Sequence, residues 1–346
     1  MIRTRKIIKN KFKNKKNKKK VKTLKIYYFK LIIFTILSIL YKIIYSYKKF
    51  NNIHIGMSLN NEYIYPTMVS ATSILVNSNK TTFIHFHLLH ANNFTNQNKY
   101  KISSLNRVNQ NCDFNFYNVR NNFTGWKSSV KNLKEPAFYR IIFGEIIPDI
   151  DKIIYLDGDT ITYSDLNEMY NLNMTNLYFR GFREYVSRKF LKYVKVDRYI
   201  CSGVMLMNLK LLRENNALQK FKDFYYFLTS KSLYYHDQHI INTIFTDKIG
   251  FLPPKYGIFH MSPIFMKNYL KSDPPPIYNI SELIEANKNP VIRHNFGRLP
   301  VKPWLYKDYD ETKTEWNYYA KKTGYYSSIC QFFKNACINL NQNKTK

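Results

Sequence analysis

Residues 152–161 read KIIYLDGDTI, a short apolar run that delivers two aspartates, Asp157 and Asp159, one residue apart. Lys152 to Leu156 is rich in β-branched and aromatic side chains and reads as a buried strand. Gly158 permits a sharp turn at the strand's end, so that both carboxylates can face one point. Two hard anionic oxygens at that spacing suit Mn²⁺ or Mg²⁺, ions that keep open positions for water or substrate phosphate. Open α/β sheets bind ligands outside the carboxyl ends of their strands, which is where this pair falls. An isolated D-x-D also occurs as a turn with two solvated acids, so the rest of the chain has to decide.

Outward from that strand, apolar runs alternate with helical patterns. IHIGMSL (53–59), TFIHFHLLH (82–90) and CDFNFYNV (112–119) read as strands. Between them, IYPTMVSATSILVN (64–77) reads as a helix with Pro66 in its first turn, and 96–109 as a polar helix. A helix from Pro136 to Ile147 precedes the D-x-D strand. This rhythm predicts an α/β fold with a doubly wound, mainly parallel sheet covered by helices on both faces. Beyond the D-x-D, SGVMLMNL (202–209) predicts another strand and then a helix through about Leu228. HDQHIINTIF (236–245) reads as a helix and KIGFLP (248–253) as a short strand. Residues 262–290, with their DPPP, read as a long loop or small subdomain over the site. VIRHNFGRLPVKPW (291–304) closes the core, and a tail with Trp316, Tyr318 and Tyr319 follows.

The formal net charge of +31 over 346 residues is unevenly spread. Residues 1–61 hold 17 Lys or Arg and no acid, leaving 37 basic against 23 acidic residues in the remainder. Thirteen of those cations fall in residues 1–25, a composition expected to be disordered. Residues 26–47, IYYFKLIIFTILSILYKIIYSY, would span about 33 Å as a helix, enough for a bilayer core. Lys30 and Lys42 near its ends can snorkel, and its tyrosines fit interfacial belts. No small-x-small cleavage site follows, so the expectation is an uncleaved type II anchor with a cytosolic basic tail. The body then lies in the lumen of the Golgi or endoplasmic reticulum. The basic tail interleaves almost no aromatics, and nucleic acid is not expected as a partner. After a stem at 48–52, the domain is expected over 53–310, with a C-terminal tail at 311–346. Six N-x-Ser/Thr triplets begin at Asn79, Asn93, Asn122, Asn173, Asn279 and Asn343. Cys112, Cys201, Cys330 and Cys337 lack metal-site spacing, and a Cys330–Cys337 bridge is conceivable.

Further chemistry-bearing residues stand at element ends. His294 follows the extended Val291–Ile292 run, and an imidazole is an acceptable third ligand to Mn²⁺. Gly297 and Lys302 come next, the lysine as a point charge for phosphate. Arg140, in the otherwise apolar AFYRIIFGEI, is expected to aim at the sheet's upper edge, where an anion would rest. Asp237 and Gln238 begin a helix, where Asp237 could also be a plain N-cap. His85, His87 and His90 on one strand are not read as a metal site.

Together these residues resemble glycosyltransferase family 8, the retaining GT-A enzymes that include glycogenin and bacterial lipopolysaccharide galactosyltransferases. The resemblance runs from residue 53 to about 306 and rests on five blocks in order: IGMSLNNEY, AFYRIIFGEI, KIIYLDGDTI, CSGVMLMNL with HDQ, and H-x-x-G-x-x-x-x-K-P-W. It implies a UDP-sugar donor, with Mn²⁺ or Mg²⁺ held by Asp157, Asp159 and His294 against the diphosphate. It implies base and ribose contacts at Tyr63, Asn60 and Asn61. Arg140, Gly158, Gly297 and Lys302 would grip phosphate and sugar. Cys201, Ser202, Gly203, Asp237 and Gln238 would line the sugar, and Gln238, Asp237 and Arg140 would be catalytic. The acceptor would be a glycan, glycoprotein or glycolipid.

Three departures from the family pattern stand out. Asn60 replaces a frequent acid, Cys201–Ser202–Gly203 replaces an N-[AS]-G triplet, and Gly297 to Lys302 is longer than the bacterial spacing. Two other readings share some of these features. A catalytically inert lumenal lectin or scaffold could keep the fold and lose the chemistry at Cys201. A haloacid-dehalogenase-type phosphatase also starts from D-x-D, but Ile161 occupies its threonine position and no later paired acids stand at a strand end.

Overall fold

The computed structural model describes residues 27–38, 50–119, 121–129, 134–184, 186–231, 236–259, 269, 271, 277–295, 302–305 and 311–333. Seven strands form the main sheet: β1 (Asn51–Ser58), β2 (Thr82–His90), β3 (Cys112–Asn118), β4 (Lys152–Leu156), β6 (Phe179–Arg183), β7 (Ile200–Asn208) and β8 (Ile249–Phe251). Their order is β3-β2-β1-β4-β7-β6-β8, and β5 (Thr160–Thr162), β9 (Tyr256–Ile258) and β10 (Ile292–His294) make a second sheet in the order β5-β10-β9.

Strand β4 is buried on both faces, as its unbroken apolar run demands. Ile154 and Leu156 point into one core layer with Ile53, Ile55, Met57 and the helix Ile64–Asn77. Ile153 and Tyr155 point into the other, with Phe138, Phe143, Phe221 and Ile240. The sheet is mixed and not uniformly parallel. β1 pairs parallel with β2 and β4, but β7 runs antiparallel to both β4 and β6. An apolar run carries no mark of its direction, so this reversal was invisible in the sequence.

The helices at 64–77 and 237–244 match their sequence patterns, and other elements correct theirs. The expected helix at 136–147 is a 3₁₀ segment, Glu135–Ile142, followed by one α-turn, Phe143–Ile146. The helix expected through Leu228 breaks into Leu209–Glu214 and Ala217–Ser230, with Asn216 at φ 53° between them. Strands β5, β6 and β9 were missed because three to five residues give no readable period. Within 262–290 the described part holds a helix, Ile280–Lys288, opened by an Asn279/Glu282 capping box. Helices Glu311–Lys322 and Tyr326–Phe332 place Trp316, Tyr319 and Ile329 in the core beside Trp304.

A helix over residues 27–38 belongs to a separate unit, Met1–Phe50. Among the described residues no helix is long and apolar enough to cross a membrane, and the rest of the 26–47 stretch lies outside them. Cys112 and Cys201 are free, whereas Cys330 is disulfide-bonded.

Candidate active site

Strand β4 ends at Leu156, and the turn that follows is clamped from both sides. Asp157 N–H donates to the Gly203 carbonyl at 2.8 Å, tying the turn to β7. Below it, the helix Ile64–Asn77 holds β5: Ser70 Oγ and Thr160 Oγ1 are 2.8 Å apart, and Thr162 N donates to Ser73 Oγ at 2.9 Å. Gly158 sits in the expected turn, closed by Thr160 N donating to the Asp157 carbonyl at 3.2 Å, but with negative φ. Its hydrogen makes room: a Cβ there would lie 2.7 Å from Thr67 Oγ1 and 3.3 Å from Thr67 N. Strand β10 pairs antiparallel with β5, setting His294 opposite Thr160. Residues 135 positions apart in the chain thereby meet.

His294 Nε2 stands 3.1 Å from Asp159 Oδ1 and 3.8 Å from Asp157 Oδ2. The ligand atoms of Asp157, Asp159 and His294 all lie within 4.8 Å of one another, and they form the one group of this kind among the described residues. Gly203 makes the approach possible, since a Cβ there would sit 2.6 Å from Asp157 Oδ2 and 2.7 Å from His294 Nε2. The other ring nitrogen, Nδ1, faces Cys201 Sγ at 3.5 Å. Cys201 thus backs the imidazole, a placement its reading as a sugar contact did not foresee. Ring orientation by a group behind the second nitrogen is usual for ligating histidines.

The charges are balanced by near contact. Burial pushes the Asp157 carboxyl up, against the pull of Arg140. Burial acts on Asp159 in the same direction, but the Lys302 ammonium and His294 outweigh it and hold Asp159 well below the usual carboxylate range. For His294 burial favours the neutral ring, yet Asp159 keeps it protonated up to about 10. Lys302 Nζ donates both to Asp159 Oδ2 and to the Asn295 carbonyl, the latter at 3.0 Å.

Arg140 differs from its expectation. It is buried over the Tyr155 ring, its NH2 3.0 Å from Asp157 Oδ1 and its Nε 3.2 Å from Asp237 Oδ2, with NH1 donating to the Ser202 carbonyl. The guanidinium therefore bridges two carboxylates. Asp237 is the first residue of its helix, behind His236 at the cap position, and it serves as no N-cap. Its Oδ2 accepts from Ser202 Oγ at 2.8 Å. Gln238 is held at both ends of its amide: Oε1 accepts from Ser202 N at 3.0 Å and Nε2 donates to Glu184.

These groups line one cavity of about 660 Å³, together with Asn60, Tyr63, Gly158 and Phe190. Tyr63 packs edge-on against Trp304 at 5.9 Å, and burial pushes its phenol up to about 12. Asn60 Oδ1 is already used, accepting from Glu62 N and Tyr63 N in the turn that starts the helix. Asn61 does not reach the cavity; its amide is engaged by the Asn93 carbonyl and Asn98. Gly297 lies outside the described residues. Glu184, which the sequence offers with Arg183 and Arg188 only as a possible donor or acceptor contact, directly follows β6 and lines this cavity. Arg183, next to it, lines a different cavity.

A mixed seven-stranded sheet with an acidic turn at the end of a central strand is a GT-A-type α/β fold. The galactosyltransferase LgtC, solved with donor and acceptor sugar analogues, shares it at TM-score 0.62 and 20% identity, over 79% of this chain and 95% of that one. WbbM, a bifunctional glycosyltransferase, shares it at TM-score 0.66 and 18% identity, over 82% of this chain and 52% of that one. The family model described as Glycosyl transferase family 8 matches residues 54–308, and the chain belongs to that family. "Glycosyltransferase GlyE" of Streptococcus pneumoniae is 27% identical over 225 residues, 62% of this chain and 51% of that protein. "Probable galacturonosyltransferase-like 9" of Arabidopsis thaliana is 27% identical over 229 residues, 60% of this chain and 55% of that protein. The chain thus spans little more than half the length of these curated relatives.

Proposed function

We propose that this chain moves a hexose or pentose from a UDP-sugar to a glycan, glycoprotein or glycolipid acceptor, with retained anomeric configuration and dependence on Mn²⁺ or Mg²⁺. The observation that carries the reading is the convergence of Asp157 and Asp159, from the turn between β4 and β5, with His294 of β10. Two carboxylates and an imidazole fit a hard or borderline divalent ion, and Gly203 leaves the gap they need. Bound there, such an ion supplies Lewis acidity toward a diphosphate leaving group.

The chain's own residues account for the rest. Lys302 holds a positive charge at Asp159, where diphosphate oxygens would lie, and favours the charge that builds as the leaving group departs. Arg140 positions Asp157 and Asp237 from beneath. Asp237 and Ser202 fix the wall against which the sugar would rest. An amide is a poor nucleophile, and both ends of the Gln238 amide are already bonded. Front-face attack is therefore favoured: the acceptor oxygen bonds to the anomeric carbon as its bond to the diphosphate breaks, and the acceptor proton passes to the departing diphosphate.

The membrane reading is part of the same proposal: a type II anchor at 26–47 with the body in the Golgi or endoplasmic reticulum lumen. The apolar stretch flanked by Lys30 and Lys42 supports it, as does a disulfide at Cys330, which favours an oxidising compartment. Resistance to alkaline extraction and a mobility shift on glycosidase treatment would test it.

The deciding experiment incubates the full chain with UDP-glucose, UDP-galactose or UDP-xylose and measures UDP release with Mn²⁺ or with chelator. Ion-dependent release that is lost in Asp159→Asn is expected. No release from any of these UDP-sugars by a folded protein would leave the inert-scaffold reading standing.

A further inference from the structure

Arg183 is the last residue of β6 and Glu184 the first beyond it, yet the two line different cavities. Glu184 enters the cavity of Asp157 and Gln238; Arg183 enters a second cavity of about 560 Å³. The helix Arg188–Val194 is shared between the two. Phe190 lines the first, whereas Arg188, Leu191 and Lys192 line the second.

The second cavity is lined by Arg183, Arg188, Lys192, Lys195 and Arg198, and among the described residues Asp197 is the one acid in its lining. Arg183 is buried to 7% exposure. Its NH1 reaches the Asp197 backbone carbonyl at 3.3 Å, and its guanidinium lies 5.6 Å from the centre of the Phe251 ring. The Arg198 guanidinium lies 5.9 Å from the same ring. Among the described residues no ion pair joins Arg183, Lys192, Lys195 or Arg198 to a carboxylate. Burial lowers the Arg183 pKa, against smaller opposing pulls from Tyr269 and Tyr278. Every buried acid of the neighbouring cavity that faces Arg140 or Lys302 has its counter-charge. A buried cation without a carboxylate beside it is costly, and two guanidiniums on one ring add repulsion. Folding tolerates such a cluster most readily when an anion completes it.

We propose that this basic cavity binds an anionic substituent, a phosphate ester or a carboxylate, of the sugar acceptor. An acceptor whose hydroxyl enters the Asp157 cavity would lie across the shared helix and present its anion to Arg183, Lys192 and Arg198. Guanidinium forks suit both oxyanions, and the flanking lysines add point charge. The assignment to an acceptor rests on the sugar-transfer reading above; the capture of an anion does not.

The test follows the melting temperature of the full chain with UDP and Mn²⁺ present to fill the first cavity. Inorganic phosphate, glucose 6-phosphate, glucuronate and glucose are titrated at constant ionic strength set with chloride. Phosphate and at least one anionic sugar are expected to stabilise the protein, glucose is not, and the stronger sugar identifies the group recognised. Lys192→Gln/Arg198→Gln, both exposed positions, should weaken the anions about tenfold or more while leaving the UDP and Mn²⁺ shift unchanged. Arg183→Met should do the same, and the exposed double variant keeps the test decisive where Arg183→Met fails to fold. An anion shift that survives in the double variant overturns the proposal, as does the absence of any anion shift. So does phosphate binding without either anionic sugar, or charge-dependent binding to phosphatidylserine vesicles alone. Loss of the UDP and Mn²⁺ shift with the anion shift intact would instead sink the donor reading.

Discussion

The same side chain behaves in opposite ways at two places on this molecule. His294, between Asp159 and Cys201, is buried yet held protonated up to about 10 by the neighbouring carboxylate. His54 and His87, on β1 and β2, meet each other at 3.0 Å, and burial together with their fellow histidines lowers them to about 4 and about 3. Burial pushes all three toward neutrality; the neighbours decide the outcome. Where two acids converge, the site favours a cation: a proton on His294, or the metal ion that these three side chains could hold. Where imidazoles stack, His54 against His85 at 4.8 Å and His87 hydrogen-bonding to Tyr117, it excludes one. Chemistry-bearing residues at the ends of β4 and β10 and structural ones in the body of β1 and β2 therefore share a residue type and differ in their partners.

The largest effect expected comes from taking away the acid. Asp159→Asn removes an oxygen ligand and the charge that holds His294 protonated, so ion-dependent UDP release should fall at least about a hundredfold. NMR should show the His294 titration moving down by more than a unit in the metal-free protein. Next comes Gly203→Ala, whose methyl group would drive His294 and Asp157 apart. Its loss of metal affinity should be roughly 10- to 100-fold, measured by calorimetry. Cys201→Ala should be milder, about tenfold in metal affinity, because the imidazole loses its backing but keeps Asp159.

The smallest effect concerns the other histidines. Their folded pKa values lie below the unfolded 6.5, so the unfolded chain takes up protons first as the medium is acidified. The stability they contribute is complete above about pH 6.5 and drains away as the pH falls toward 4 and then 3. Thermal melts over that window should steepen in the wild type and flatten in His87→Phe. An equal slope in both proteins would remove the contrast between the two histidine sites.

What the sequence made legible follows the same division. Strands β1, β2, β3, β4 and β7, and the helix at 64–77, announced themselves because long apolar runs and the 3.6-residue period are local signals. The D-x-D and His294 were legible as chemistry, since both stand where strand patterns stop. The reversal of β7 was not readable, nor were β5, β6 and β9, whose pairing is decided by partners far along the chain. Arg140 was expected to face a ligand anion at the sheet's upper edge, and its bridge to Asp157 and Asp237 was not readable because it joins three segments. Cys201 was read as a lost sugar contact because nothing local says it stands behind His294. Arg183, Glu184 and Arg188 could be named as possible contacts, but their division between two cavities was not readable, because β6 is too short to show a period.

The most direct measurement of the central claim is Mn²⁺ binding to the full chain in the presence of UDP, followed by electron paramagnetic resonance. The account predicts saturable binding at a single strong site, lost in Asp159→Asn and sharply weakened in His294→Ala. Equal binding by all three proteins, or none by the wild type, would contradict it.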